Sequence, residues 1–407
     1  MVQITRVRLT AVNTPRHGSI TCGHVLVELL TDSDGLVGVG EMSDFQHLPR
    51  YHVDVADLEG TLNELLVGLE PLQITEVERR LEQSFPQAGY IYDKSRTIKC
   101  GVDIAMWDLA AKHLGVRVVD LLGGAVRDAV PIAYPIFRQQ RDDDVARNLA
   151  MVDRRVAEGF EHFRVYVGRR LDLDEQFLRA VRDRHGDGIS IKSLDFSNLL
   201  DARAACRFVD RVADVGFDLV ESPAPHHDLT GLAHARDRLP VPVSEHVYGF
   251  RWALDLVAAD AVDVFNVSVI AIGGITPARR IFAIAEAAGK SCLVGTTQEL
   301  SIGTAAAAHV AMAMPSVTLP SDPVGPLLYT RDVVREPVSY VGGRLRVPAG
   351  PGLGVTLDPA RVAASAGPLS WAGTDAATVV DRAPTGPATG NGPLDALRPV
   401  APAGASR

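Results

Sequence analysis

The chain has 407 residues, 46% of them hydrophobic and 22% charged, which is material for a barrel-sized core with a smaller domain beside it. Acidic residues outnumber basic ones by 50 to 41, and no Lys/Arg-rich block with interleaved aromatics occurs, so no nucleic-acid partner is expected. No run approaches the ~20 apolar residues of a membrane span, and the four scattered cysteines, Cys22, Cys100, Cys206 and Cys292, form no CxxC pair, which points to reduced thiols in a cytoplasmic protein.

The opening MVQITRVRLT alternates apolar and polar residues and reads as a strand, not a signal peptide. Residues 1–127 read as an α+β unit: strands over Gln3–Ala11 and His24–Thr31, a turn at Asp34-Gly35, and helices over Thr75–Gln83 and Ile98–Leu114, the second stopped at Gly115. From Val130 the texture changes to short apolar runs separated by amphipathic stretches. The runs are Val130–Tyr134, Phe163–Val167, Ile189–Leu194, Leu219–Val220, Val241–Ser244, Val262–Val267 and Ser291–Val294, with helices such as Asp174–Arg184, Asp201–Val215 and Thr276–Ala288 between them. A repeat of one strand and one helix per ~25–30 residues is the signature of a parallel α/β barrel, here over residues 128–330. Residues 331–371 hold short strands, Val338–Val341 and Arg344–Val347, and are expected to fold back onto the first unit. Residues 372–407 are rich in Ala, Pro, Gly and Thr and are expected to be disordered.

In a barrel of this kind the chemistry belongs at the C-terminal ends of the strands. Those ends offer Arg164 and Tyr166, Asp195, Glu221, Glu245-His246, Asn266 with Ser268, and Thr296 to Glu299. Asp195, Glu221 and Glu245 stand one strand-helix unit apart, so consecutive strands bring them together. Three carboxylates in a water-poor mouth repel one another unless a cation lies between them, and hard oxygen donors suit Mg2+. Whether Glu245 or His246 supplies the third ligand is left open by their sharing one turn. His226-His227 is a tempting second metal pair, but adjacent side chains on a loop seldom converge, and they read as solvated.

The series D-x-S-N, E-S-P and S-E-H after successive strands, followed by IGGIT and GTTQELSIGTAAAAH, together with GEMSDF and GVDIAMWDLAAKHLG in the first unit, resembles the mandelate racemase/muconate lactonizing enzyme branch of the enolase superfamily over residues 1–371. Within that branch GEMSDF-x-HLP, YPIFR, FR-x-YVG, ESPAP and SDP-x-GP-x-LY are most similar to the galactarate dehydratases of the D-threo-forming type. The resemblance implies a (β/α)7β barrel with an N-terminal α+β capping domain completed by C-terminal segments, a homo-oligomer, and a Mg2+-dependent hydro-lyase acting on an acid sugar. Relatives usually carry Lys-x-Lys where Arg164-Val165-Tyr166 stands, and a Lys where Ser268 stands or a His-Asp dyad where Thr296 and Asn266 stand, so a one-base dehydration is expected. The alternative is an epimerase or cycloisomerase of a related hydroxy acid or lactone.

On this reading Tyr166 is the base, its phenol pulled down by the Arg164 guanidinium and the cation. His47 is the expected acid for the departing group. Arg16 is a bidentate clamp for a distal carboxylate, and Tyr90 with Tyr92 lines the cap. Ser197, Thr297 and Glu299 complete the substrate-binding set. Strand alternation turns Lys192 away from the face of Ser193 and Asp195.

Overall fold

The computed structural model describes residues 2–17, 20–43, 53–86 and 93–369. His47, Tyr90, Tyr92 and the expected disordered tail lie outside the described residues. Three strands, β1 (Ile4–Pro15), β2 (Thr21–Thr31) and β3 (Val37–Met42), form an antiparallel sheet in the order β1-β2-β3. Helices α1 (Val55–Leu66), α2 (Ile74–Ser84) and α3 (Lys94–Leu114) accompany it, and the short α4 (Val118–Leu121) follows. Asp93 caps α3 by accepting from Ser95 N, and Gly115 ends it in the left-handed region, as a C-terminal glycine does at little steric cost. The helix is buried along nearly its whole length because it lies between the cap sheet and the barrel. At Gly40 the sheet comes so close that a Cβ would sit 1.9 Å from Gly101 O.

The second layer is a seven-stranded parallel sheet: β5 (Ala133–Ile136), β6 (His162–Tyr166), β7 (Ser190–Asp195), β8 (Leu219–Glu221), β9 (Val243–His246), β10 (Val264–Val267) and β11 (Ser291–Val294), hydrogen-bonded in sequence order. Helices α5 (Asp142–Ala157), α6 (Leu171–His185), α7 (Ala202–Arg211), α8 (Leu229–Arg238), α9 (Phe250–Ala258), α10 (Val269–Ile272), α11 (Ile275–Ala287) and α12 (Ser301–Ala313) alternate with the strands. Val317 bridges Cys292 on one edge and Ser321 bridges Ile132 on the other, both parallel, so the stretch from Val317 to Ser321 closes the sheet into the expected (β/α)7β barrel. Leu219, Val264 and Leu293 pack together against Leu319 of this closing stretch.

The expected strand Val130–Tyr134 is two elements. The short β4 (Val130–Pro131) pairs antiparallel with β13 (Arg344–Leu345), which in turn pairs with β12 (Tyr340–Val341), while β5 begins at Ala133. The break falls at Ile132, whose N–H is taken by Gly343 O. Two short helices, α13 (Gly325–Leu328) and α14 (Pro359–Ser365), complete the described chain, and among its helices none is long and apolar enough to cross a membrane.

The cap is fastened to the barrel at defined polar points. Glu41 of β3, fully buried, accepts from Leu300 N (2.8 Å) and Gly303 N (2.9 Å) at the start of α12, where carboxylate and helix dipole favour each other. Trp107 of α3 donates to Thr276 Oγ1 at 2.8 Å, and Asp103 accepts from Thr276 N. The cap therefore sits over the ends of β10 and β11.

Candidate active site

Lateral pairing puts Tyr166 beside Asp195 and Asp195 beside Glu221 across β6, β7 and β8. Three candidate side chains thus stand in a row at the C-terminal rim. Arg164, two residues below Tyr166 on the same face, reaches into this row: Nη2 donates to Glu221 Oε1 at 2.6 Å and to Asp195 Oδ2, and Nη1 donates to Asp322 Oδ2 at 3.4 Å. Its guanidinium carbon lies 4.7 Å from the centre of the Tyr166 ring.

Lys192 corrects the alternation argument. Its Nζ donates to Asp322 Oδ1 at 2.8 Å, the carboxylate that also receives Arg164, and the side chain is fully buried. The β6–β7 pairing shifts register between Phe163 and Arg164, opposite Ile191 and Ser193, and an extra residue in one strand resets which side chains share a face. Lys192 and Asp322 were thus missed as members of the site. The available signal was a lysine inside an otherwise apolar strand, which is seldom buried unless paired.

The two candidates for the expected third metal ligand sit in different surroundings. Glu245 is held by Ser222 Oγ (2.7 Å), Asn198 Nδ2 (2.9 Å) and the His246 N–H (2.8 Å). His246 is the residue paired with Asn266 across β9 and β10, and its Nε2 lies 3.1 Å from Glu221 Oε1. Asn266 Nδ2 reaches the same Glu221 oxygen at 2.9 Å. Among the described residues no three His, Cys, Asp or Glu side chains close into a ready-made metal cage, because the cation lying between Asp195 and Glu221 is Arg164. The donor chemistry still fits a hard cation: Glu221 Oε2 is buried without a hydrogen-bond partner, and the neighbouring donors are carboxylate oxygens.

Charge crowding moves the titrations here. Burial works to raise the Glu221 carboxyl, but Arg164, the His246 hydrogen bond and Lys192 outweigh it and hold the group well below the usual range. The Tyr166 phenol moves upward: burial dominates, Asp195, Glu221 and Asp322 add to it, and Arg164 only partly opposes them. The expectation of a phenol drawn down by Arg164 is therefore reversed in the protein alone, since desolvation disfavours the phenolate more than one guanidinium favours it.

Ser197 donates its N–H (2.7 Å) and Oγ (2.9 Å) to Asp195 Oδ1, so it holds the acid in place instead of presenting its hydroxyl to a ligand. At the seventh-strand rim Glu299 Oε2 accepts from Thr296 Oγ1 and Thr297 N, both at 3.0 Å, while Oε1 is buried without a partner. Burial pushes this carboxyl up to about 7. Thr297 Oγ1 faces Ser43 Oγ at 3.4 Å. Arg16, buried at the end of β1, donates to Gln298 Oε1 of the same rim and lies over the Phe137 ring. Ser197, Asn198, Ser222 and Gln298 all take positive φ between 45° and 69°, a conformation that non-glycine residues rarely adopt and that gathers at functional sites. His226 and His227 meet edge to face, 4.8 Å between ring centres, and His227 lies near Tyr248 and Trp252. They pack against aromatic neighbours, His226 half-buried and His227 exposed, and not as a second metal pair.

An antiparallel cap clamped over a parallel barrel, with acids advancing along successive strand ends, is an enolase-type architecture. Residues 147–361 match the model described as enolase C-terminal domain-like, and residues 2–123 match the mandelate racemase/muconate lactonizing enzyme N-terminal domain. The chain belongs to the mandelate racemase/muconate lactonizing enzyme branch of the enolase superfamily. It is 31% identical to muconate cycloisomerase 1 of Pseudomonas putida, over 81% of this chain and 87% of that one. It is 26% identical to the N-succinyl-L-Arg/Lys racemase of Bacillus cereus, over 88% and 96%. Muconate lactonizing enzyme from Pseudomonas fluorescens complexed with muconolactone superposes with a TM-score of 0.80 at 28% identity, covering 89% of this chain and 99% of that one.

These relatives correct the expectation of a hydro-lyase. They are isomerases, and the similarity to galactarate dehydratases is not what the matches display. The physical reason is that rim acids of this kind suit the stabilisation of charge next to a carboxylate as its α-proton moves, a step that an elimination and an isomerisation can share. They do not specify what happens afterwards.

Proposed function

We propose that the protein is a Mg2+-dependent cycloisomerase, interconverting an unsaturated dicarboxylate and its lactone through proton transfer at the carbon α to a carboxylate. The observation that carries this reading is the one-sidedness of the mouth. Tyr166 stands over the charged row of β6–β8, whereas the opposite tips are Asn266, engaged with Glu221, and Ser268, whose Oγ accepts from Ala271 N at 3.2 Å. Epimerisation of a single carbon needs proton exchange on both faces, and the described residues offer a titratable partner for Tyr166 on neither β10 nor the start of α10. Cycloisomerisation needs one face only.

In the ring-opening direction Tyr166 Oη, in its phenolate form, takes the α-proton and the C–O bond at the β-carbon breaks, its electron pair leaving on the released carboxylate. That group is a stable anion and requires no acid. In the reverse direction the carboxylate oxygen adds to the β-carbon and the phenol returns its proton to the α-carbon. A phenol raised by burial is protonated at neutral pH and set for that donation. Bound Mg2+ supplies electrostatic stabilisation of the substrate carboxylate while its α-proton is in transit. Asp195 and Glu221, with His246 or Glu245, are the residues that would hold the ion. Arg164 keeps the row neutralised and Tyr166 in place, Arg16 is the cation for the remote carboxylate, and Thr297 with Glu299 borders the same space. His47, the acid expected for a departing hydroxide, has no role in this step, and it and Tyr90 lie outside the described residues.

The test is turnover of cis,cis-muconate and muconolactone with Mg2+ in D2O. One deuterium on a single face of the lactone is expected, and Tyr166→Phe should lower the rate by about 10²–10⁴-fold while Mg2+ binding, measured by calorimetry, persists. Lactone labelled equally on both faces, or a Tyr166→Phe variant of undiminished rate, overturns the reading.

A further inference from the structure

Beside the first barrel strand, between β5, one face of α5 and Leu327-Leu328 of the short helix α13, lies a cavity of about 360 Å³. Five guanidinium groups line it, those of Arg16, Arg138, Arg147, Arg154 and Arg155, and no Asp or Glu does. This runs against the net charge of −9 of the chain. Arg147, Met151, Arg154 and Arg155 are spaced i, i+4, i+7 and i+8, so a single face of α5 presents them together.

Much of this lining is held in position. Arg155 lies 4.3 Å over the Tyr134 ring, donates to Tyr134 Oη at 3.1 Å and pairs with Glu158. Arg138 donates to Val167 O at 2.8 Å, and Arg16 is fixed by Gln298 and Phe137. Arg154 is exposed and makes no ion pair among the described residues, so its charge is available at the open end. Between the charged groups the walls are apolar: Phe137, Met151 and Leu327. A cavity of this size with mostly apolar walls and a few convergent polar groups has the form of a small-molecule site.

We infer that this cavity binds a small amphipathic carboxylate, an aromatic or unsaturated acid whose carboxylate meets the guanidiniums at the α5 end and whose apolar body lies against Phe137, Met151 and Leu327. Guanidinium groups favour planar two-oxygen acceptors, and the apolar walls reward a hydrocarbon body that inorganic phosphate lacks. The cavity shares Arg16 with the substrate clamp proposed above, but none of the row of acids lines it, and the inference does not rest on the reaction proposed above. The two places do touch: the Phe137 ring stacks on Tyr166 at 5.7 Å between centres, and Arg138 lies 5.1 Å over the same Tyr166 ring.

The probe is 4-fluorobenzoate, titrated into the full chain with Mg2+ present and followed by fluorine NMR, with acetate and phosphate as controls. Saturable one-to-one binding is expected, weakened about tenfold by Arg154→Glu, the factor that loss of one charge-assisted contact gives, and abolished by Met151→Trp, which fills the cavity. Asp195→Asn should leave it unchanged. Acetate or phosphate binding as tightly as fluorobenzoate, undiminished binding in Arg154→Glu, or loss of binding in Asp195→Asn overturns the inference, the last by placing the probe in the row of acids. Should Met151→Trp fail to match the parent's thermal midpoint, Arg154→Glu decides alone, because that side chain is exposed.

Discussion

On the side of the barrel mouth built by β6, β7 and β8, two cations and three carboxylates, Arg164 and Lys192 with Asp195, Glu221 and Asp322, lie in contact and almost wholly buried. On the side built by β10 and β11 the groups are amides and hydroxyls, Asn266, Ser268, Thr296 and Thr297, and the acid there, Glu299, is driven by burial toward its neutral form. Charges out of water are tolerated where they compensate one another and are otherwise neutralised. The barrel thus concentrates its ionic machinery on one flank, which is the property that suits proton transfer to one face of a substrate.

The largest break in this contrast is expected from Arg164→Met. It leaves Asp195, Glu221 and Asp322 with Lys192 as their remaining buried cation, and removal of one partner from such a cluster costs about 3–5 kcal/mol. The urea midpoint should fall accordingly, and Mg2+ should recover more of the lost stability in the variant than it adds to the parent, because the ion replaces the missing positive charge. A variant as stable as the parent would mean that the carboxylates are not held by Arg164.

How much of this was legible without coordinates differs between the flanks. The alternation of strands and helices, the parallel barrel and the order Arg164-Tyr166, Asp195, Glu221, Glu245-His246 are visible because strand ends recur at a fixed spacing, whereas the (β/α)7β form came with the family resemblance; the structure places Tyr166, Asp195 and Glu221 side by side. Lys192 was misdirected because a register shift cannot be read from alternation. Helix α12 escapes a search for amphipathic stripes because SIGTAAAAHVAMA is buried on every side, which erases the 3.6-residue period. Helix α1 does carry the period, in Leu58, Leu62 and Leu66 after the cap Asp54, so its signal is present in the sequence. The sense of the Tyr166 shift was illegible for a different reason: it depends on how completely the phenol is desolvated, a quantity set by the whole fold.

The second prediction uses pH to separate the flanks. Glu299 has its carboxyl raised to about 7, so folding favours its neutral form. The stability this contributes is fully present below the unfolded value near 4.5 and is lost as pH rises to about 7, at roughly 1.4 kcal/mol per pH unit. Glu221 has the opposite sign: held low by Arg164 and His246 against burial, it contributes stability above pH 4.5 that disappears in acid. Glu299→Gln should therefore flatten the decline between pH 4.5 and 7 while leaving the acid limb intact. Asp103 and Asp174, both raised to about 7 by burial, share the sign of Glu299, so the measurement is the difference between variant and parent denaturation curves. A difference independent of pH would show that Glu299 is already ionised in the fold.

The smallest effect is expected from Asn266→Ala. Its amide gives Glu221 one hydrogen bond at 2.9 Å, and a bond to a charged acceptor is worth about 1.5–3 kcal/mol. Part of that is returned, because Asn266 Oδ1 is itself buried without a partner and its removal relieves a desolvation penalty. A net loss of about 1 kcal/mol in urea denaturation follows, well below that of Arg164→Met even though both side chains touch the same Glu221 oxygen. The comparison is sharp because the Glu221 oxygen and the burial are shared, while Arg164 adds a charge and contacts to Asp195 and Asp322 that Asn266 lacks. Equal losses in the two variants would remove the distinction between an ionic flank and a neutral one, and with it the structural reason for assigning proton transfer to a single face.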